Sequence, residues 1–185
     1  MNRALIIGVM GPGASASKAN TDAAAQLGVY IATRGWVLLS GGRSEGVMEA
    51  ANQAAAAAGG LTLGLLPGET CANASPSVIL ALPTGLGHTR NVLNITASDV
   101  VLVCGFGLGA GTLSEVAFAL KYQKPLIVIS DAKETHDFLR NFSSPNFFLV
   151  STVSKALTTL DGLVANSDDF RDRRPIRFTS EFLRT

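Results

Sequence analysis

The chain has few of the residues from which metal sites, disulfide frameworks and nucleic-acid clamps are built. Its 185 residues include two cysteines, Cys71 and Cys104, and two histidines, His88 and His136, far apart in sequence. That inventory cannot make a disulfide framework, and no metal held by protein side chains is expected. Fifteen Lys and Arg face 14 Asp and Glu, so the net charge of +1 leaves no electrostatic footprint for a nucleic acid. The one basic knot, Arg171, Arg173 and Arg174, falls in a polar tail, where it reads as a solvated arm or an oligomer contact. No apolar run approaches the roughly 20 residues that span a bilayer. Arg3, the apolar residues to Met10 and then Ala14-Ser15-Ala16 superficially resemble a signal peptide, but Gly11-Pro12-Gly13 breaks the run. The segment reads better as a first buried strand followed by a glycine turn. A cytoplasmic protein with neither membrane nor nucleic-acid partners is expected. No linker or low-complexity block divides the chain, and 47% hydrophobic residues supply one core. The expectation is one domain over residues 1–166 and a polar C-terminal tail over 167–185.

What the chain does have is alternation of strand and helix signals. Strands are predicted at 4–9, 36–39, 61–65, 78–80, 100–104, 126–129 and 147–150. Helices are predicted at about 17–33, 44–58 and 89–97, from about 112, and around 134–140 and 153–165. Such a pattern predicts an α/β, doubly wound fold, with a six- or seven-stranded parallel sheet and helices on both faces. Ligands in that architecture bind beyond the C-terminal strand ends, near the point where strand order reverses. Glycines cluster at those ends: Gly8, Gly11 and Gly13; Gly41 and Gly42; Gly85 and Gly87; and Gly105 to Gly111.

The last cluster, Gly105-Phe106-Gly107-Leu108-Gly109-Ala110-Gly111-Thr112-Leu113-Ser114-Glu115, follows the buried run Val100 to Cys104 and opens a helix. Its glycines either tighten a turn or let the backbone approach a ligand. Thr112 and Ser114 can help satisfy the free N–H groups of the first helical turn, which with the helix dipole form a phosphate site. Gly8 to Gly13 departs from the dinucleotide fingerprint, and no acidic residue ends the second strand, so NAD is disfavoured. That loop is a plain turn or a contact to a base, pterin or ribose. Arg90, after Gly85 and Gly87, is a ligand anchor or an ordinary surface pair. Glu115 is a site carboxylate or a helix N-terminal charge.

Four segments complete a set: Gly41-Gly42-Arg43-Ser44-Glu45-Gly46-Val47-Met48-Glu49-Ala50-Ala51; Ala58 to Pro67; Thr84-Gly85-Leu86-Gly87-His88-Thr89-Arg90-Asn91; and Gly109 to Glu115. Together they resemble the LOG-like family of Rossmann-like proteins over about residues 5–150. The family includes phosphoribohydrolases that release a cytokinin base from its ribose 5′-monophosphate, and molybdenum cofactor carrier proteins. In the enzymes an Arg-Lys pair and a P-G-G-x-G-T-x-x-E loop supply a catalytic arginine and glutamate, matched by Arg90 and Glu115. The lysine is replaced by Asn91, the Pro-Gly is replaced around Gly107 and Leu108, and the loop before Glu115 is slightly longer. The Gly-Gly-Arg and Gly-Val-Met-Glu-Ala-Ala runs, with Thr-Gly-x-Gly-x-x-Arg-Asn, look more like the carriers, which bind molybdopterin without transforming it.

The resemblance thus implies a molybdenum cofactor carrier or storage protein, with a nucleoside 5′-monophosphate phosphoribohydrolase as the alternative. A small phosphorylated ligand is assigned to Gly11, Gly13, Gly41, Gly42, Arg43, Thr84, Gly85, Arg90, Asn91, Gly109, Gly111, Thr112 and Glu115. Arg43 has a pterin phosphate or molybdate oxygen as its functional partner, or merely solvates a turn. No catalytic residue is expected in a carrier; in a hydrolase the pair is Arg90 and Glu115. Family members are often labelled lysine decarboxylases, but no lysine sits in a glycine-rich cup that would hold pyridoxal phosphate, so PLP is not expected. The resemblance also implies a homodimer or homotetramer and molybdoenzymes as recipients. The Ala-rich stretch 49–58 suits close packing in such an assembly.

Overall fold

The computed structural model describes residues 3–105, 109–142, 144–171, 173 and 175. Strands and helices alternate as β1 (Ile6–Met10), α1 (Lys18–Thr33), β2 (Val37–Ser40), α2 (Gly46–Ala57), β3 (Leu61–Leu66), β4 (Leu80–Pro83), a single 3-10 turn (Gly87–Thr89), α3 (Arg90–Ala97), β5 (Val100–Cys104), α4 (Ala110–Lys121), β6 (Leu126–Ile129), α5 (Lys133–Leu139), β7 (Phe147–Val150), α6 (Val153–Asn166) and α7 (Asp168–Arg171). The seven strands form one parallel sheet in the order β4-β3-β2-β1-β5-β6-β7. Strand order therefore reverses between β1 and β5, and the ends of these two strands frame the crevice expected to hold a ligand.

The continuous apolar strands are explained by burial on both faces. Val100, Leu102 and Cys104 pack with Leu27 and Ile31 of α1, Ala51 of α2 and Leu160 of α6. Val101 and Val103 point the other way, into a second cluster with Ile95 of α3, Val116 of α4 and Leu139 of α5. Gly28 of α1 has no room for a Cβ against the Ala51 carbonyl oxygen, so α1 and α2 cross at near backbone contact. Ala51 and Ala55, the buried alanines of α2, are thus used inside the subunit, against α1. At the opposite end of the sheet, the Asp99 carboxylate accepts from the Ile6 amide at 2.9 Å and from Arg3, and lies 3.5 Å from Arg173. Phe170 of α7 packs against the α1 and α6 cluster. No helix among the described residues is long and apolar enough to cross a membrane.

β1 begins two residues later than expected, α7 forms within the expected polar tail, and the fourth strand and the start of α4 are displaced. The fourth strand lies at Leu80–Pro83 and not at 78–80. The Thr62 hydroxyl donates to the Ser77 carbonyl at 2.7 Å and accepts from the Ile79 amide at 2.9 Å, so a side chain occupies the ladder position there and backbone pairing starts later. Helix α4 begins at Ala110, two residues before the predicted start, with Gly109 as its N-cap and no side-chain cap hydrogen bond. Ser114 does not satisfy first-turn N–H groups: its hydroxyl donates to the Gly111 carbonyl at 2.7 Å and accepts from Asn91 Nδ2 at 2.9 Å. Phe106, Gly107, Leu108 and Arg174 lie outside the described residues.

Candidate functional site

A cavity of about 180 Å³ opens at the C-terminal strand ends beside the reversal point. Met10, Gly11, Pro12, Gly13 and Ser15 come from the end of β1 and its loop, and Gly41, Arg43, Glu45 and Met48 from the end of β2 and the start of α2. His88, Arg90 and Asn91 come from the 3-10 turn and α3, and Gly109, Gly111, Thr112 and Glu115 from the start of α4. Arg43, Arg90 and Gly111 therefore share one cleft, as the doubly wound reading requires.

Glycine at position 41 makes room for the central cation: a Cβ there would stand 2.5 Å from Arg90 Nη1 and from Met48 Sδ. Arg90 is only 7% exposed, and its Nε and Nη1 have no hydrogen-bond partner. Burial pulls its pKa down, the Glu115 charge pushes it up and Arg43 pulls it down again. A buried guanidinium with free donors costs several kcal/mol unless an anion joins it. Above it, α4 presents its first-turn N–H groups without a side-chain cap, so charge and backbone donors converge on the same small volume.

Glu115 is 7% exposed and its carboxyl is pushed up to about 7 by burial, against the opposing pull of the Asn94 hydrogen bond and of Arg90. Asn94 Nδ2 donates to Glu115 Oε1 at 2.8 Å. Arg43 Nη2 is ion-paired with Glu45 Oε1 at 2.7 Å near the rim, and is half-exposed. Asn91 lines the cavity, but its amide nitrogen is directed to Ser114 and Gly111, which pins α3 to the start of α4.

Of the residues assigned from sequence, Gly11, Gly13, Gly41, Arg43, Arg90, Asn91, Gly109, Gly111, Thr112 and Glu115 line the cavity. Gly42, Thr84 and Gly85 do not. Gly42 adopts φ +73° where its backbone passes Gly64, a conformation and closeness that a side chain would strain. The Thr84 hydroxyl donates to the Leu66 carbonyl at 2.7 Å, and the Gly85 amide donates to the Gly68 carbonyl at 2.9 Å, so both shape the turn after β4. The lining also includes Met10, Pro12, Ser15, Glu45, Met48 and His88, which were not assigned from sequence. Glu45, Met48 and His88 stand inside the recognised motifs and were legible there; Ser15 carries no sequence signal.

The sequence profile of the SLOG cluster4 family matches residues 4–157. The molybdenum cofactor binding protein from the phototrophic bacterium Rippkaea orientalis is 46% identical, superposes with a TM-score of 0.83, and is covered over 98% of its length by 88% of this chain. The molybdenum cofactor carrier protein of Chlamydomonas reinhardtii is 39% identical with a TM-score of 0.82, over 89% of this chain and 100% of that one. An uncharacterised protein of Archaeoglobus fulgidus is 38% identical over 120 residues, 64% of this chain and 75% of that protein.

Proposed function

Because the chain belongs to the SLOG cluster4 family, we propose that it binds and carries the molybdenum cofactor without cleaving it. The observation that carries this reading is Arg90, a buried cation with free Nε and Nη1 beside the uncapped start of α4. Two guanidinium donors and a fan of backbone N–H groups match the oxygens of a terminal phosphate, which is the anionic end of a molybdopterin. Arg43, at the rim, is placed to meet further anionic oxygens by exchanging its Glu45 partner. The likeness to the Rippkaea and Chlamydomonas proteins, at 46% and 39% identity, supports the same cargo.

The assigned ligand contacts are the cavity-lining residues of α3, α4 and the β1 and β2 loops, held in one domain over residues 1–166 with 167–185 as a tail. The protein acts in the cytoplasm, hands its cargo to molybdoenzymes, and assembles as a homodimer or homotetramer. Leu80 and Leu82 on edge strand β4, with Leu86 before the 3-10 turn and Leu93 of α3, are exposed apolar side chains that a second subunit would cover. Sedimentation that finds a monomer, and a monomer only, removes that part of the reading.

A phosphoribohydrolase remains the second reading because Arg90 and Glu115 line the same cavity. A glycosidase stabilises a developing ribose cation with an ionised carboxylate. Burial pushes the Glu115 carboxyl up to about 7, the range in which a carboxyl can act as general acid or base. Incubation with AMP and a cytokinin ribotide separates the two: a carrier releases no base and binds molybdenum cofactor. Base release at ordinary enzyme rates, abolished in Glu115→Gln, would replace the carrier with the hydrolase.

A further inference from the structure

We propose that anion binding in this cavity is coupled to protonation of Glu115, so that the protein holds its phosphorylated ligand in mild acid and releases it as the pH rises. The inference rests on the phosphate-binding reading above and adds its regulation. Glu115 and Arg90 line one cavity and each is 7% exposed, so charges there are poorly screened by water. A phosphate taken up by Arg90 and the start of α4 arrives beside the Glu115 carboxylate. Two negative charges then share one cation, and uptake of a proton by the carboxyl relieves the conflict.

The neighbouring amide is arranged for both states. Asn94 Nδ2 donates to Glu115 Oε1 at 2.8 Å, while Asn94 Oδ1 is buried with no partner. Turned over, the same amide presents Oδ1 to accept from a neutral carboxyl, so one side chain serves the ionised and the protonated acid. Burial pushes the Glu115 carboxyl up to about 7, and the Asn94 hydrogen bond and Arg90 charge hold it down. An anion on Arg90 weakens that last restraint. The remaining titratable or charged groups around the cavity are His88 on the 3-10 turn and the paired Arg43 and Glu45 on the β2–α2 loop. Strands β5 and β6, on which α4 packs, bring only the apolar side chains Val101, Val103, Leu126 and Val128 to that face among the described residues.

The sign follows from linkage: a ligand that prefers the protonated acid loses affinity above its pKa, by up to about tenfold per pH unit. Sulfate is the probe, because its charge is constant from about pH 6 to about pH 9 while that of a phosphate monoester is not. Wild-type protein should bind sulfate with a dissociation constant that climbs above about pH 7. Glu115→Gln should flatten the profile, and His88→Gln should keep the slope. Should Glu115→Gln fail to fold, calorimetry of the wild type in buffers of different ionisation heat reads the coupling directly: sulfate binding is accompanied by net proton uptake at about pH 8. A flat wild-type profile, an unaltered slope in Glu115→Gln, or no proton uptake overturns the coupling and leaves the phosphate site intact. Absence of sulfate binding at every pH overturns the phosphate site as well, and the coupling with it.

Discussion

Two of the hollows at the C-terminal end of this sheet differ in kind. The one on the β5, β6 and β7 side, between the starts of α1, α5 and α6, has a volume of about 410 Å³ and is the roomier of the two. Two of its three helix starts, those of α1 and α6, are capped by side chains, and the short α5 has Ala132 at its N-cap with no side-chain cap. Ser17 accepts from the Asn20 amide at 3.2 Å and Asn20 answers the Ser17 amide at 3.0 Å; Thr152 accepts from the Lys155 amide at 3.2 Å. Among the described residues, none of the buried polar atoms without a partner lies in that lining. The smaller cavity, about 180 Å³, holds Arg90, whose Nε and Nη1 have no hydrogen-bond partner, and the start of a helix whose N-cap is a glycine. An uncapped helix start is found in both hollows; what marks the smaller one as a site is the buried guanidinium with free donors beside it. Volume alone would have chosen the wrong hollow.

The sharpest way to break this contrast is to remove the cation. Arg90→Ala should weaken molybdenum cofactor binding by about ten- to a hundredfold, the loss of charge-assisted hydrogen bonds of roughly 1.5–3 kcal/mol. Isothermal titration reads it, and Thr152→Ala, in the other hollow, should leave the affinity where it was. Next in size are Thr112→Pro, which deletes one first-turn N–H, and Gly111→Val, which puts a side chain into the cavity beside Asn91. Each should cost several-fold in affinity.

Stability should follow the reverse pattern. Thr152→Ala loses an N-cap and should lower unfolding free energy by about 1 kcal/mol. Arg90→Met removes a buried guanidinium whose Nε and Nη1 lack partners together with its attraction to Glu115, and should change the stability of the ligand-free protein little in chemical denaturation. The smallest expected effect concerns pH. A carboxyl raised in the folded state binds protons that the unfolded chain has already lost, so its burial costs stability progressively as the pH rises from about 4.5 to about 7 and no further. Glu115→Gln should therefore gain on the wild type over that window in thermal scans and run parallel to it above.

Much of the fold was legible in the sequence because the strands that frame the site are unbroken apolar runs. The spans 100–104, 126–129 and 147–150 agree with the residues found in β5, β6 and β7. The fourth strand slipped because the Thr62 hydroxyl, distant in sequence, takes the place of a backbone partner at Ser77 and Ile79. In the site, the glycine clusters and the two arginines pointed to one cleft. What local pattern could not carry was the use of each side chain across elements. Asn91, expected to touch ligand, has its amide nitrogen tied to Ser114 on α4, and Thr84 and Gly85 serve their own turn. Asn94, absent from the sequence reading, supports Glu115 from one helical turn beyond Arg90. Such roles depend on which faces of α3 and α4 meet, and that is set by packing across the sheet.

The most direct test is native mass spectrometry of freshly purified wild-type protein and of Arg90→Ala. The wild type should carry a species with the mass of the intact molybdenum cofactor or its molybdopterin, and Arg90→Ala should be largely empty. Equal loading of both, or a ribose 5-phosphate product in the wild type, would contradict the assignment of this cavity as a phosphate-anchored carrier site.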